Sequence, residues 1–188
     1  MGASALLGAC STLPPPVSGE HAAIRERARA DKHAAFSLSG RFVVKGPQQS
    51  VSAGLDWAHS DALDELQVNG PLGKTLARLT RDVNGVRLVD DRQRISEAAT
   101  LDELASELFG ARVPLTRAAG WVTARPGTAD VLSRDALGRV SVLAEQGWRV
   151  EYTAYEDDTP DALPRQIEAS DGEYSLRLRV DAWYLLQP

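Results

Sequence analysis

The sequence predicts an α+β fold, in which an incomplete antiparallel β-barrel of about eleven strands is covered by about three helices. Long stretches alternate between apolar and polar residues, as strands do when one face is apolar and the other is wet. Turn-forming pairs such as Asn84-Gly85 and Asp171-Gly172 separate these stretches. Because a large antiparallel sheet with one apolar face must curl or be covered, we expect the helices to close the mouth of a half-barrel over an apolar cavity.

The chain begins with a segment that resembles a bacterial lipobox, Leu7-Gly8-Ala9-Cys10, and Cys10 is its only cysteine. The resemblance implies that Cys10 carries lipid and that the chain is cut before it. We therefore expect residues 1–9 to be a short lipoprotein signal segment, although it lacks the usual basic residues. Residues 10–19 are predicted to be a lipidated tether, and residues 20–188 a single domain.

The domain is predicted to open with a weakly amphipathic helix from Ser18 to about Ala35. Alternation then predicts strands around Phe36–Phe42, Val51–Trp57, Leu63–Val68 and Lys74–Arg81. Asn84-Gly85 favours a hairpin because both positions tolerate positive φ, and it leads into a strand at Val86–Leu88.

Two helices are predicted to interrupt the strands. Thr100 and Glu103 form a capping-box pattern ahead of apolar residues at helical spacing, and Gly110 is placed to end that helix. A second, short helix is expected from about Pro114 to just before Pro126-Gly127. Strand alternation resumes at Val140 and continues to Val180.

Composition and motifs argue against several function classes. The net charge of −5 and the pI near 5.2 do not fit a nucleic-acid surface, which needs clustered Lys and Arg. The histidines, His21, His33 and His59, lack metal-ligand spacing, and each is expected to be a solvated surface residue. No GxSxG pattern surrounds a serine. We therefore expect neither an enzyme nor a cofactor.

Several short motifs, taken in order, resemble those of the LolB family of outer-membrane lipoprotein receptors. The match runs from about Phe36 to Trp183 and rests on their order and spacing together. They are Gly40-Arg41-Phe42, Asn69-Gly70-Pro71-Leu72-Gly73, Val86-Arg87-Leu88-Val89-Asp90, Val113-Pro114-Leu115 with Gly120-Trp121, Gly147-Trp148-Arg149-Val150-Glu151-Tyr152, Leu163-Pro164, and Leu176 to Trp183.

The resemblance implies a monomeric receptor that accepts lipoproteins from the periplasmic carrier LolA. The receptor would hold their acyl chains in an apolar cavity and insert them into the outer membrane, whose phospholipid it would contact. In the family an exposed leucine on a loop between two early strands acts on the membrane, and Leu72, between Pro71 and Gly73, is the matching residue. The resemblance also places the protein on the periplasmic face of the outer membrane, anchored through Cys10, and Ser11 agrees because the inner-membrane signal is Asp.

The residues expected to line the cavity come from the alternation and the helical spacing, which do not separate a cavity from a packed core. On the strands they are Leu38, Phe42, Leu55, Trp57, Leu66, Val68, Leu88, Val150, Tyr152, Leu178 and Val180. On the covering helices they are Leu101, Leu104, Leu108 and Leu115.

Two alternatives stay open at this point. A LolA-like carrier, or another soluble lipid-binding protein, would share the half-barrel but lack a lipidated cysteine. A structural outer-membrane lipoprotein would have no ligand cavity. Cys10 and Leu72 argue against the carrier, and uptake of an acyl probe separates a receptor from a structural protein.

Overall fold

A computed structural model describes residues 35–47, 50–109 and 114–185. Cys10, the tether and residues 18–34 of the first predicted helix lie outside these ranges. The described chain forms one antiparallel sheet of eleven strands. The strands are β1 (Phe36–Lys45), β2 (Ser50–His59), β3 (Asp64–Asn69), β4 (Thr75–Asp82), β5 (Gly85–Asp90), β6 (Ile95–Ala98), β7 (Asp130–Arg134), β8 (Val140–Glu145), β9 (Trp148–Tyr155), β10 (Pro164–Ser170) and β11 (Ser175–Leu185).

The sheet is an unclosed barrel. Its strand order is β6-β5-β4-β3-β2-β1-β11-β10-β9-β8-β7, so neighbours in the chain are neighbours in the sheet, and β1 joins β11 at the centre. The outermost strands, β6 and β7, are not paired with each other. The segment between them in the chain contains helix α1 (Leu101–Phe109), a 3-10 turn (Leu115–Arg117) and helix α2 (Ala118–Val122), which together we call the lid.

The predicted fold class is confirmed, and the local signals explain much of it. The Thr100 hydroxyl accepts a hydrogen bond from the Glu103 amide at 3.2 Å, as in a capping box, and the Glu103 carboxylate accepts one from the Ala99 amide, one residue before the cap, at 3.0 Å. The predicted second helix is divided into the 3-10 turn and α2. The hairpin turn is one residue earlier than predicted, because Val83 and Asn84 form it and only Gly85 has positive φ, at 128°.

A bulge between Ser39 and Gly40 bends the central strand pair β1–β11. A Cβ atom at Gly40 would lie within 2.4 Å of the Arg179 carbonyl oxygen, so only glycine allows this close approach. A bulge of this kind increases the local bend and twist of a sheet, which a curled sheet requires.

The register defines two ends of the barrel. Phe36, His59, Asp64 and Arg81 lie side by side on successive strands at one end, which we call the Phe36 end. The hairpin that carries Leu72, between β3 and β4, lies at the opposite end, which we call the Leu72 end. Aromatic rings fill the Phe36 end, where the Phe36 ring centroid lies 5.1 Å from that of Trp57 and 5.4 Å from that of Trp183.

Candidate functional site

A cavity of about 170 Å³ lies between the lid and the concave face of the sheet. All of its lining residues are apolar. On the strands they are Phe42, Val44, Leu55, Trp57, Leu66, Val68, Ala77, Leu79, Leu88, Ile167, Leu176 and Leu178. On the lid and just before it they are Leu101, Leu104, Ala105, Pro114, Leu115, Ala118, Trp121 and Val122. Phe42, Val44 and Leu176 belong to the strand segments nearer the Leu72 end.

Ten of the residues expected from sequence line this cavity. They are Phe42, Leu55, Trp57, Leu66, Val68, Leu88, Leu101, Leu104, Leu115 and Leu178. Leu38, Val150, Tyr152 and Val180 instead belong to the packed core and are not among the lining side chains. The side chain of Leu108 lies outside the part of the chain that the structure describes.

Sequence reasoning missed Val44, Ala77, Leu79, Ala105, Pro114, Ala118, Trp121, Val122, Ile167 and Leu176. The period of two could have identified Val44 and Leu176, since each lies two residues from a lining residue on its own strand. Trp121 gave no separate signal, because a tryptophan on a helix is usually core.

Both tryptophans of the cavity wall have their indole N–H groups bound to buried carboxylates. Trp57 Nε1 donates to Asp64 Oδ1 at 2.9 Å, and Trp121 Nε1 donates to Glu145 Oε2 at 2.7 Å. Neither donor is therefore left for a ligand. The wall offers an apolar surface alone, which suits hydrocarbon and gives a polar ligand no partner.

Asp64 is the centre of a buried polar cluster. Its carboxylate accepts hydrogen bonds from Trp57, from Arg81 Nε and, at 2.6 Å, from His59 Nδ1 when that nitrogen carries a proton. Burial alone would raise the pKa of Asp64, but the bonds from His59, Arg81 and Trp57 together hold that pKa below its usual value. The expectation that His59 is solvated is wrong, since its side chain is only 11% exposed.

The Asp64 cluster should make the protein sensitive to acid. The folded-state pKa lies below the unfolded value of about 3.9. The stabilisation is therefore present above that value and is lost as pH falls through the folded-state pKa. We expect Asp64→Asn to lower the free energy of unfolding at neutral pH by about 2–3 kcal/mol and to flatten its fall in acid.

Chemical denaturation between pH 7 and pH 3 measures this effect. Glu65→Gln is the matched control, because Glu65 is the adjacent and exposed carboxylate on β3. An Asp64→Asn protein that loses stability in acid as steeply as the unmodified protein would contradict the assignment.

A second buried cluster fixes helix α2 to the sheet. Glu145 on β8 is 5% exposed in its side chain, and its Oε1 lies 2.5 Å from Arg117 Nη2. The Tyr152 hydroxyl on β9 donates to the Trp121 carbonyl at 2.9 Å. Polar bonds therefore connect α2 and the residue before it to β8 and β9, in addition to the packing of Trp121.

Helix α1 is held differently. The Asp102 carboxylate accepts hydrogen bonds from the amide and the hydroxyl of Thr116, both at 2.9 Å, so this clasp joins α1 to the rest of the lid. Against the sheet, Leu101 and Leu104 pack on Leu79, Val86 and Leu88. No polar side-chain bond joins residues 101–106 to a strand.

Leu72 lies at the tip of the β3–β4 hairpin and is fully exposed to solvent. Its φ of 61° is in the left-handed region, which costs a residue other than glycine about 1–3 kcal/mol. The Gly70 amide donates to the Lys74 carbonyl at 2.8 Å, which closes the loop below the tip. The loop therefore presents an apolar side chain to solvent, where packing against other described residues does not stabilise it.

The described residues contain no group of three or more His, Cys, Asp or Glu side chains arranged to hold a metal. Within the same ranges no helix is long and apolar enough to cross a membrane.

The chain is similar to proteins of a known family. The model of the family described as outer membrane lipoprotein LolB matches residues 34–183. A protein from Azoarcus sp. (strain BH72) named outer-membrane lipoprotein LolB is 38% identical over 98% of this chain and 93% of its own length. Its namesake from Dechloromonas aromatica (strain RCB) is 35% identical over 95% and 92%.

The solved structure of a LolA superfamily protein from Nitrosomonas europaea is similar in fold. It has a TM-score of 0.52 at 8% identity, and the alignment covers 88% of this chain and 93% of that one. At this level of identity the likeness shows a shared fold alone. The match to the family model and to the two relatives shows more: this chain belongs to the LolB family of outer membrane lipoproteins.

Proposed function

We propose that this protein is a receptor that accepts lipoproteins from a LolA-like periplasmic carrier, holds their acyl chains in the cavity under the lid, and inserts them into the outer membrane. The observation that carries the proposal is the wholly apolar lining of the cavity, in which both indole N–H groups are bound elsewhere. Each methylene buried there gains about 0.8 kcal/mol relative to water.

The size of the cavity supports a lid that moves. Its volume of about 170 Å³ is below the ~300 Å³ at which small-molecule pockets begin. A lipoprotein carries two or three long acyl chains, which need more space than this cavity provides. The lid must separate from the sheet before the chains can enter.

Leu72 supports the last step, in which cargo passes to the membrane. A fully exposed leucine gains about 1.5–3 kcal/mol when it is buried, and a lipid surface can provide that burial. The cavity lies toward the same end of the barrel as this loop, so acyl chains leaving it need not pass the aromatic core at the Phe36 end. No nucleotide is required, since transfer runs toward the site of higher affinity.

We place the receptor on the periplasmic face of the outer membrane, anchored by lipid on Cys10, and we expect it to act as a monomer. The names of the related proteins and the lipobox resemblance support this location. Two or three acyl chains on one cysteine make a lasting anchor, whereas a single chain would exchange.

Transfer of a lipoprotein from the carrier to the purified domain, with Cys10→Ser to remove the anchor, tests the proposal. We expect the lipoprotein to move from the carrier to this protein and to remain there until liposomes are added. Failure to take up both the lipoprotein and a fluorescent fatty acid would refute the receptor function and favour a structural lipoprotein. Efficient return of cargo to the carrier would favour a soluble carrier instead.

A further inference from the structure

We propose that Glu145 is a positioning residue that fixes one half of the lid, so that helix α1 alone moves when an acyl chain enters the cavity. The assignment of α1 as the entry side rests on the proposed function. The division into a fixed and a moving half rests on the bonds described above.

Moving α2 away from the sheet would break directional bonds in a buried place. Glu145, which is 5% exposed in the structure, would lose Arg117 and the Trp121 indole, and its carboxylate would then face the hydrocarbon that enters under α2. An uncompensated buried charge is strongly unfavourable, and an acyl chain has no donor that could replace those two partners. Entry of hydrocarbon therefore gives no compensation for opening this half.

Moving residues 101–106 of α1 away from the sheet breaks no polar side-chain bond to a strand. Leu101 and Leu104 separate from the leucines of β4 and β5, and an acyl chain can fill the space with contacts of the same kind. The exchange of apolar side chain for hydrocarbon is close to neutral, because neither surface is left in water. The clasp between Asp102 and Thr116 connects α1 with the 3-10 turn beside the fixed half.

Thiol labelling of the full chain tests the division. In a Cys10→Ser background, Ala105→Cys places a single thiol on α1 and Val122→Cys places one on α2, where the native residues are 1% and 6% exposed. Both replacements change the volume of the side chain only slightly. With a maleimide as the probe, we expect Ala105→Cys to react at least about tenfold faster than Val122→Cys, because α1 opens without global unfolding.

Variants of Glu145 test its role. Glu145→Leu should raise the labelling rate of Val122→Cys at least about tenfold, whereas Glu145→Gln keeps an oxygen acceptor for Trp121 and should raise it less. If Glu145→Leu does not fold, Arg117→Leu gives the same comparison from the other side of the ion pair. In NMR spectra of these variants, the resonance of the Trp121 indole proton should shift more where the labelling rate of Val122→Cys rises more.

Equal labelling rates at the two thiols, or a faster rate at Val122→Cys, would overturn the division of the lid. Labelling of both thiols only at the rate of global unfolding would also overturn the division. The dependence of the labelling rate on denaturant concentration identifies that case. Uptake of a fluorescent fatty acid is measured in parallel. If the two thiols are labelled at unequal rates but no fatty acid is taken up, the receptor function is refuted and the divided lid is not. If fatty acid is taken up but the labelling rates are equal, only the divided lid is refuted.

Discussion

A Leu72→Glu protein is expected to accept lipoprotein from the carrier at the normal rate but to release it into liposomes at least about tenfold more slowly. The leucine is fully exposed, so its removal costs the fold little. What the variant would lose is the gain of about 1.5–3 kcal/mol expected from burial of this side chain in lipid. A carboxylate at the tip also opposes entry into an apolar layer.

Val83→Glu is the matched control for this experiment. Val83 is 91% exposed at the tip of another hairpin, but that hairpin lies at the Phe36 end. We expect the control to receive and release lipoprotein normally. Normal release by Leu72→Glu, or an equal defect in Val83→Glu, would remove the specific role of the Leu72 loop.

A Val68→Glu protein is expected to bind a fluorescent fatty acid about 100-fold more weakly, which corresponds to about 2.8 kcal/mol. Val68 lines the cavity and is only partly buried, so the change places a carboxyl group against the ligand. The apolar wall offers that group no hydrogen-bond donor, and an unpaired charge in such a place is costly. Lipoprotein transfer from the carrier should fail in the same protein.

Gln67→Glu provides the comparison, because adjacent residues of a strand point to opposite faces. Gln67 bonds to Asn69 on the outer face, at 2.9 Å from Nε2 to Oδ1. The control should keep the affinity of the unmodified protein. Circular dichroism and denaturation of both variants separate a loss of binding from a loss of fold, and unchanged binding by a folded Val68→Glu protein would show that acyl chains lie elsewhere.

Much of the fold could be predicted because the physical signals are local. Alternation along β1 or β11 depends on neighbouring residues alone, and the capping box at Thr100 lies within four residues. The boundary between cavity and core is not local. Leu178 lines the cavity, while Val180, two residues along the same strand face, lies in the packed core. Whether a side chain borders the cavity or the core depends on the groups that lie opposite it.

The two carboxylates of the site were missed, although the sequence does hold a signal for them. Asp64 shares a strand face with Leu66 and Val68, and Glu145 shares one with Leu143. A charged residue at an inward-facing position requires a buried partner. The partners themselves, Arg81 and Arg117, come from other elements and could not be assigned from spacing.

The separation of the two ends of the barrel decides which end of the domain meets the proposed anchor and which end carries the exposed leucine. Strand β1 begins at the Phe36 end, so the described chain starts at the end remote from Leu72. The proposed anchor at Cys10 would therefore reach the described domain through the Phe36 end, while the loop proposed to enter the membrane lies at the other end.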